Sequence, residues 1–182
     1  MATTSLAQLE ALLETPELAS LGAKPRANGQ SVEDVNGALD KIFASSRRSE
    51  ESADLIRSLI LLWHDHLDES HALSQQFPTP DGSYVHGIMH RREFDFDNAR
   101  YWFNRTGRHD AFPTVAKAVA TLPATDAERI IVDRCVRNGS WDPYAFIDCC
   151  QEELQSPSTR GAFMQRIQKA EFSVLLNYLA LL

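Results

Sequence analysis

The sequence predicts an all-α protein, a single-domain multi-helix bundle, and three observations carry that reading. Apolar residues recur at helical spacing through most of the 182 residues, helix start and stop signals fall at the ends of those stretches, and no convincing two-period strand interrupts them. Eight Gly and eight Pro are too few for a loop-rich all-β chain.

The elements follow in order. Residues 1–30 read as a peripheral N-terminal arm, a short amphipathic helix (Leu6, Leu9, Leu12, Leu13) and then a linker, Gly22 to Gln30, whose Gly and Pro break regular structure. The bundle domain spans 31–182. Its first helix starts near Ser31, where Ser-Val-Glu-Asp resembles a capping box, and presents Val32, Val35, Leu39 and Phe43 on one face. Arg47 to Glu51 is a polar turn. A long helix is expected over 52–76, with Ile56, Ile60, Trp63 and Leu67 aligned. Phe77-Pro-Thr-Pro-Asp-Gly-Ser83 stops it, because Pro lacks a donor and disfavours helix in the residue before it.

Helices then follow over 83–93 and 96–106, broken at Phe94-Asp95 and ended by Gly107. Pro113 opens a helix to about Leu122, and Thr125-Asp-Ala-Glu128 is a capping box for one that closes at Asn138-Gly139. Asp142-Pro143 supplies a cap and a first-turn proline for the next. The last runs from about Thr159 to the C-terminus and buries Phe163, Ile167, Phe172 and Leu175 or Leu176.

Composition bounds the function. A chain of this length buries a core without a structural metal, so a metal would serve function rather than folding. The net charge of −7 argues against nucleic acid, whose backbone needs a basic face. Three cysteines without a C-x-x-C pattern point to a reducing compartment. The first 25 residues lack the pattern of a signal peptide, and the strongest apolar run, Leu59 to Trp63, is too short to cross a bilayer, so a soluble, cytoplasmic protein with no membrane partner is expected.

All six histidines lie between residues 64 and 109. Four of them, with Asp68 and Glu93, form two rows of the same spacing, i, i+4, i+7: His64, Asp68 and His71, then His86, His90 and Glu93. On a helix such a row spans about 60° of the surface, so each can clamp one ion. Helices joined by the short turn at 77–83 are expected to be antiparallel neighbours, with both rows facing a shared cleft. Nitrogen and carboxylate ligands suit a divalent transition metal, Zn, Mn, Ni or Fe. Asp68-x-x-His71 also echoes the carboxylate pairs of di-iron bundles, but the second helix carries the reversed His90-x-x-Glu93. His64, His71, His86 and His90 are the candidate catalytic residues, because imidazole both ligates metal and titrates near neutrality. His66, across the helix from His64, is expected to be structural or at the surface, and His109 is a loop ligand or structural.

Beside these rows Arg91, Arg92, Arg100, Arg105 and Arg108 interleave with Phe94, Phe96, Tyr101, Trp102 and Phe103. Guanidinium forks beside an aromatic wall suit a small anionic or polar aromatic molecule, with Tyr101 expected to bind it beside the five arginines. The same residues also fit a packed helix whose arginines pair with nearby acids. The expected function is therefore that of a small-molecule enzyme or binding protein, a metal-dependent hydrolase or oxidoreductase if metal is held there. The alternative is a helical protein-interaction module with no catalytic activity.

Overall fold

The computed structural model describes residues 2–44 and 48–182, with the side chains of 2–5 left aside. Among the described residues the architecture is all-α. The helices are α1 (Ala2–Ala11), α2 (Val32–Phe43), α3 (Glu50–Trp63), α4 (Leu67–Ser74), α5 (Pro80–Arg92), α6 (Phe96–Thr106), α7 (Phe112–Ala120), α8 (Asp126–Cys135), α9 (Pro143–Gln155) and α10 (Gly161–Leu181). One two-stranded ribbon joins α8 to α9. β1 (Val136–Arg137) pairs antiparallel with β2 (Ser140–Trp141), Val136 opposite Trp141. Asn138 and Gly139 both take positive φ, 52° and 72°, as a tight hairpin turn demands. The sequence expectation ran α8 on to this turn; the last residues become a ribbon instead.

Local chemistry sets most helix ends. Ser31, Ser49, Thr79, Asp95, Thr125 and Asp142 each accept an N–H of the first turn. The Thr125–Glu128 capping box forms with both reciprocal bonds. Thr79 caps α5 ahead of Pro80, so that helix begins three residues before Ser83. Of the expected polar turn, Arg47 lies outside the described residues, while Glu50 and Glu51 form the first turn of α3.

The expected long helix over 52–76 is two helices. The chain breaks at His64–His66, where Asp65 has φ +72°. That conformation costs free energy for a residue with a Cβ, and Asp65 is held in it by its side chain. Its Oδ2 accepts from the Nε (2.8 Å) and backbone N–H (3.0 Å) of Arg26, and its Oδ1 from Arg92 Nη2 (2.6 Å). Burial alone would raise the pKa of this carboxyl, but the two guanidinium groups hold it below the usual range.

The same corner anchors the N-terminal arm, which is not peripheral. Leu9, Leu13 and Ala19 belong to the core. Gln168 Nε2 donates to the carbonyls of Ala19 (3.2 Å) and Ser20 (3.0 Å), and Arg92 Nη2 donates to that of Gly22 (3.1 Å). Gly22 leaves room for the ring of Phe94, which a Cβ would strike.

Helix α5 runs through the interior, with every residue from Gly82 to Arg92 buried. Its two last arginines fasten it at two places. Arg92 reaches Asp65, and Arg91, fully buried, reaches Glu171 on α10 at 2.5 Å. Glu171 also accepts from Tyr84 OH (3.2 Å) and Trp141 Nε1 (3.1 Å), so its charge is both paired and hydrogen-bonded. None of the helices among the described residues is long and apolar enough to cross a membrane.

Candidate metal centre

His71, near the end of α4, faces His86 and His90, one turn apart on α5. One ring nitrogen from each lies within 4.8 Å of the others. The His86 ring meets His71 edge-on (centroids 4.7 Å) and stacks near-parallel on His90 (4.7 Å, 19°). His71 also meets His90 edge-on at 5.3 Å.

The second wall comes from α6. After the break at Phe94-Asp95 this helix turns back along α5 and pairs Asn98 with His90 and Trp102 with His86. Trp102 stacks on His86 at 3.9 Å and 18°, and Asn98 Nδ2 lies 3.1 Å from His90 Nε2. The close approach depends on Gly87, where a Cβ would lie 3.0 Å from the Phe103 ring.

Hydrogen bonds fix the ring of His90. Glu93 Oε2 sits 2.9 Å from Nδ1 and accepts its proton, which leaves a lone pair on Nε2. A carboxylate on the far nitrogen is the usual way a ligating imidazole is oriented and made more basic. His86 is different. It is 2 % exposed, and neither ring nitrogen has a hydrogen-bond partner. Burial, then the neighbouring His90 and His71, push its pKa down to about 3, and burial lowers that of His90 against the opposing pull of Glu93. Both rings are thus neutral near pH 7, the form that binds a metal.

Of the six residues in the two rows, the structure gathers His71, His86 and His90. Glu93 stands behind His90 as an orienting carboxylate. His64 is elsewhere, because the break after α3 turns it toward the arm. Its Nδ1 accepts the Gln30 N–H (3.1 Å), which leaves Nε2–H to donate to the Leu12 carbonyl (2.9 Å), so both nitrogens are committed. Asp68 is exposed and outside the cluster. His66 Nε2–H donates to the Gln30 carbonyl (2.7 Å), and His109 takes the Ala111 N–H on Nδ1 while donating to Asp81 at 2.8 Å. Both act in structure.

The arginines do not line the site together. Arg91 and Arg92 are interior ion pairs, as described, and Arg100 pairs with Asp148 at 2.5 Å. Arg105 lies over the rings of Tyr101 and Trp102, Tyr101 is exposed, and Arg108 is exposed beyond the end of α6. An open groove of about 620 Å³ does border the site, but acids line it: Asp68, Glu69, Glu93 and Asp95, with Ala23, His66, Leu67 and the paired Asp65. Asn98 is the site residue that sequence reasoning missed, and Trp102, read there as part of an aromatic wall, stands against His86 instead. The i, i+4 spacing of Asn98 and Trp102 matches that of His86 and His90 across a three-residue break, and that antiparallel match was the available signal. No family model, curated protein or solved structure matches the chain.

Proposed function

We propose that this protein binds a divalent transition metal through His71, His86 and His90 and uses it on a small molecule entering from the acidic groove. The observation that carries the reading is His86. A buried imidazole with both nitrogens unsatisfied costs free energy in any purely structural role, and here it points with two other imidazoles at one place. Three imidazoles are a familiar donor set for zinc that keeps a coordination position free, and they also suit copper, iron and nickel.

Bonds of about 2.0–2.1 Å place tetrahedral donors about 3.3 Å apart, so the rings close on the ion by small side-chain rotations. The metal then supplies Lewis acidity, either polarising a bound group or making a water nucleophilic near neutral pH. This favours hydrolysis first. Around it the chain orients the ligands: Glu93 fixes His90, Trp102 fixes His86. The groove's carboxylates favour a neutral or cationic polar molecule over an anion.

Elemental analysis of untagged protein, purified without a metal-affinity resin, tests this. We expect close to one transition-metal ion per chain, removed by a chelator and restored by Zn²⁺. Protein that holds none, and takes up none when Zn²⁺, Mn²⁺, Ni²⁺ or Fe²⁺ is added, would leave the helical interaction module as the better reading.

A further inference from the structure

We propose that Cys135 and Cys149 form a peroxide-reactive pair, in which Cys149 is oxidised first and Cys135 then closes a reversible disulfide onto it. The three histidines have no part in this chemistry. All three cysteines of the chain are buried and free of disulfides, and two of them meet where α8 joins α9. Cys135 ends α8, and its carbonyl accepts the Asp142 N–H (2.8 Å) while the Asp142 side chain caps α9. The hairpin thereby folds α9 back along α8. Arg134 and Glu152 fix the register of the two helices with paired bonds of 2.7 and 2.8 Å. Cys149 lies three residues before Glu152, on the same face of α9, and so comes opposite Cys135. The Cys135 thiol donates a hydrogen bond to the Cys149 sulfur.

The two sulfurs are not equivalent. That hydrogen bond, with the charge of Arg134 added, holds the Cys149 thiol below the usual range against the opposing effect of burial, while the same bond and burial push Cys135 up. Cys149 is therefore the thiolate and Cys135 the proton donor. Cys149 also lines a narrow crevice with Arg134, Glu152, Arg160 and Met164, which leads a molecule the size of hydrogen peroxide to its sulfur. Cys150, the next residue, is enclosed beside Arg91 and Glu171, and burial pushes its thiol up to about 12. It stays a thiol. In the first step the Cys149 thiolate attacks the O–O bond of a hydroperoxide; an S–O bond forms, and water or an alcohol leaves with the proton that Cys149 gave up. In the second, the Cys135 sulfur attacks that of Cys149; the S–S bond forms, the S–O bond breaks, and the departing hydroxide takes the Cys135 proton. Two electrons pass from the two thiols to the peroxide, and an external dithiol returns them.

Peptide mass mapping of the reduced full chain after exposure to hydrogen peroxide tests this. Wild-type protein should give a product lighter by two hydrogens, in which the Cys135 peptide is joined to the peptide that carries Cys149, and dithiothreitol should reverse it. Cys150→Ala should form the same link at the wild-type rate. Cys149→Ser should consume peroxide at least about tenfold more slowly, and Cys135→Ser should stop at a Cys149 sulfenic acid that dimedone labels. Wild-type protein that forms no link to Cys135, whether peroxide is consumed or not, would overturn the pair without recourse to a variant. So would a link that Cys150→Ala abolishes, or a Cys149→Ser protein, folded by its far-UV spectrum, that reacts as fast as wild type.

Discussion

At the scale of single residues, the proposed metal site makes His86 link stability to function with opposite signs. Its two unpartnered nitrogens are a cost of about 1–3 kcal/mol carried by the metal-free fold. Replacing the ring with one that needs no partner should therefore help folding and end metal binding. We expect His86→Phe in chelator-treated protein to melt a few degrees higher than wild type, since about 1 kcal/mol moves a domain of this size by roughly 2–4 °C, and calorimetry measures it directly. A lower melting temperature would mean that the imidazole has a structural role. The same residue sets a pH dependence. With the folded state titrating near 3 and the unfolded chain near 6.5, the unfolded chain takes up the proton first. Stability is then complete above about pH 6.5 and falls as pH drops toward 3, by up to about 1.4 kcal/mol per unit. Urea midpoints between pH 7 and 4 should fall less steeply in His86→Phe, and an unchanged slope would contradict the assignment.

At the scale of elements, the break between α3 and α4 decides what the site contains. Asp65→Ala should cost about 3–5 kcal/mol, because it leaves Arg92 charged and buried without its partner. Hydrogen exchange should also quicken over residues 18–30, which Arg26 ties to this corner. A loss below about 1 kcal/mol with unchanged exchange in the arm would show that the corner is held by something else. This break also marks the limit of what the sequence discloses. The caps at Thr125 and Asp142, the stop at Gly107 and the apolar rows of α10 depend on residues a few positions apart, so they are legible. Residues 64–66 contain neither Gly nor Pro, and the cause of the turn lies in Arg26 and Arg92, distant along the chain. Treating 52–76 as one helix placed His64 beside His71 and drew the arm as peripheral. The arginines misled for the same reason: their partners, Glu171 and Asp148, come from α10 and α9. Of the six expected residues, His71, His86 and His90 come together because two of them share one helix face and the third lies just before the short turn that leads into it.

At the scale of the molecule, α5 is the element on which the site depends. It carries two of the three histidines, it is buried along its length, and Arg91 and Arg92 fasten it to α10 and to the Asp65 corner. In a chain of net charge −7, both of these cations are used internally. That arrangement holds the histidines on a rigid support, which the proposed metal centre needs more than a docking surface does. X-ray absorption on the protein loaded with one equivalent of Zn²⁺ tests the central claim most directly, because multiple scattering from imidazole rings counts histidine ligands. The account predicts three imidazoles at about 2.0–2.1 Å with one oxygen neighbour, reduced to two imidazoles when His71 is replaced by Ala. A shell of oxygens alone, or a wild-type spectrum that the His71 substitution leaves unchanged, would contradict it.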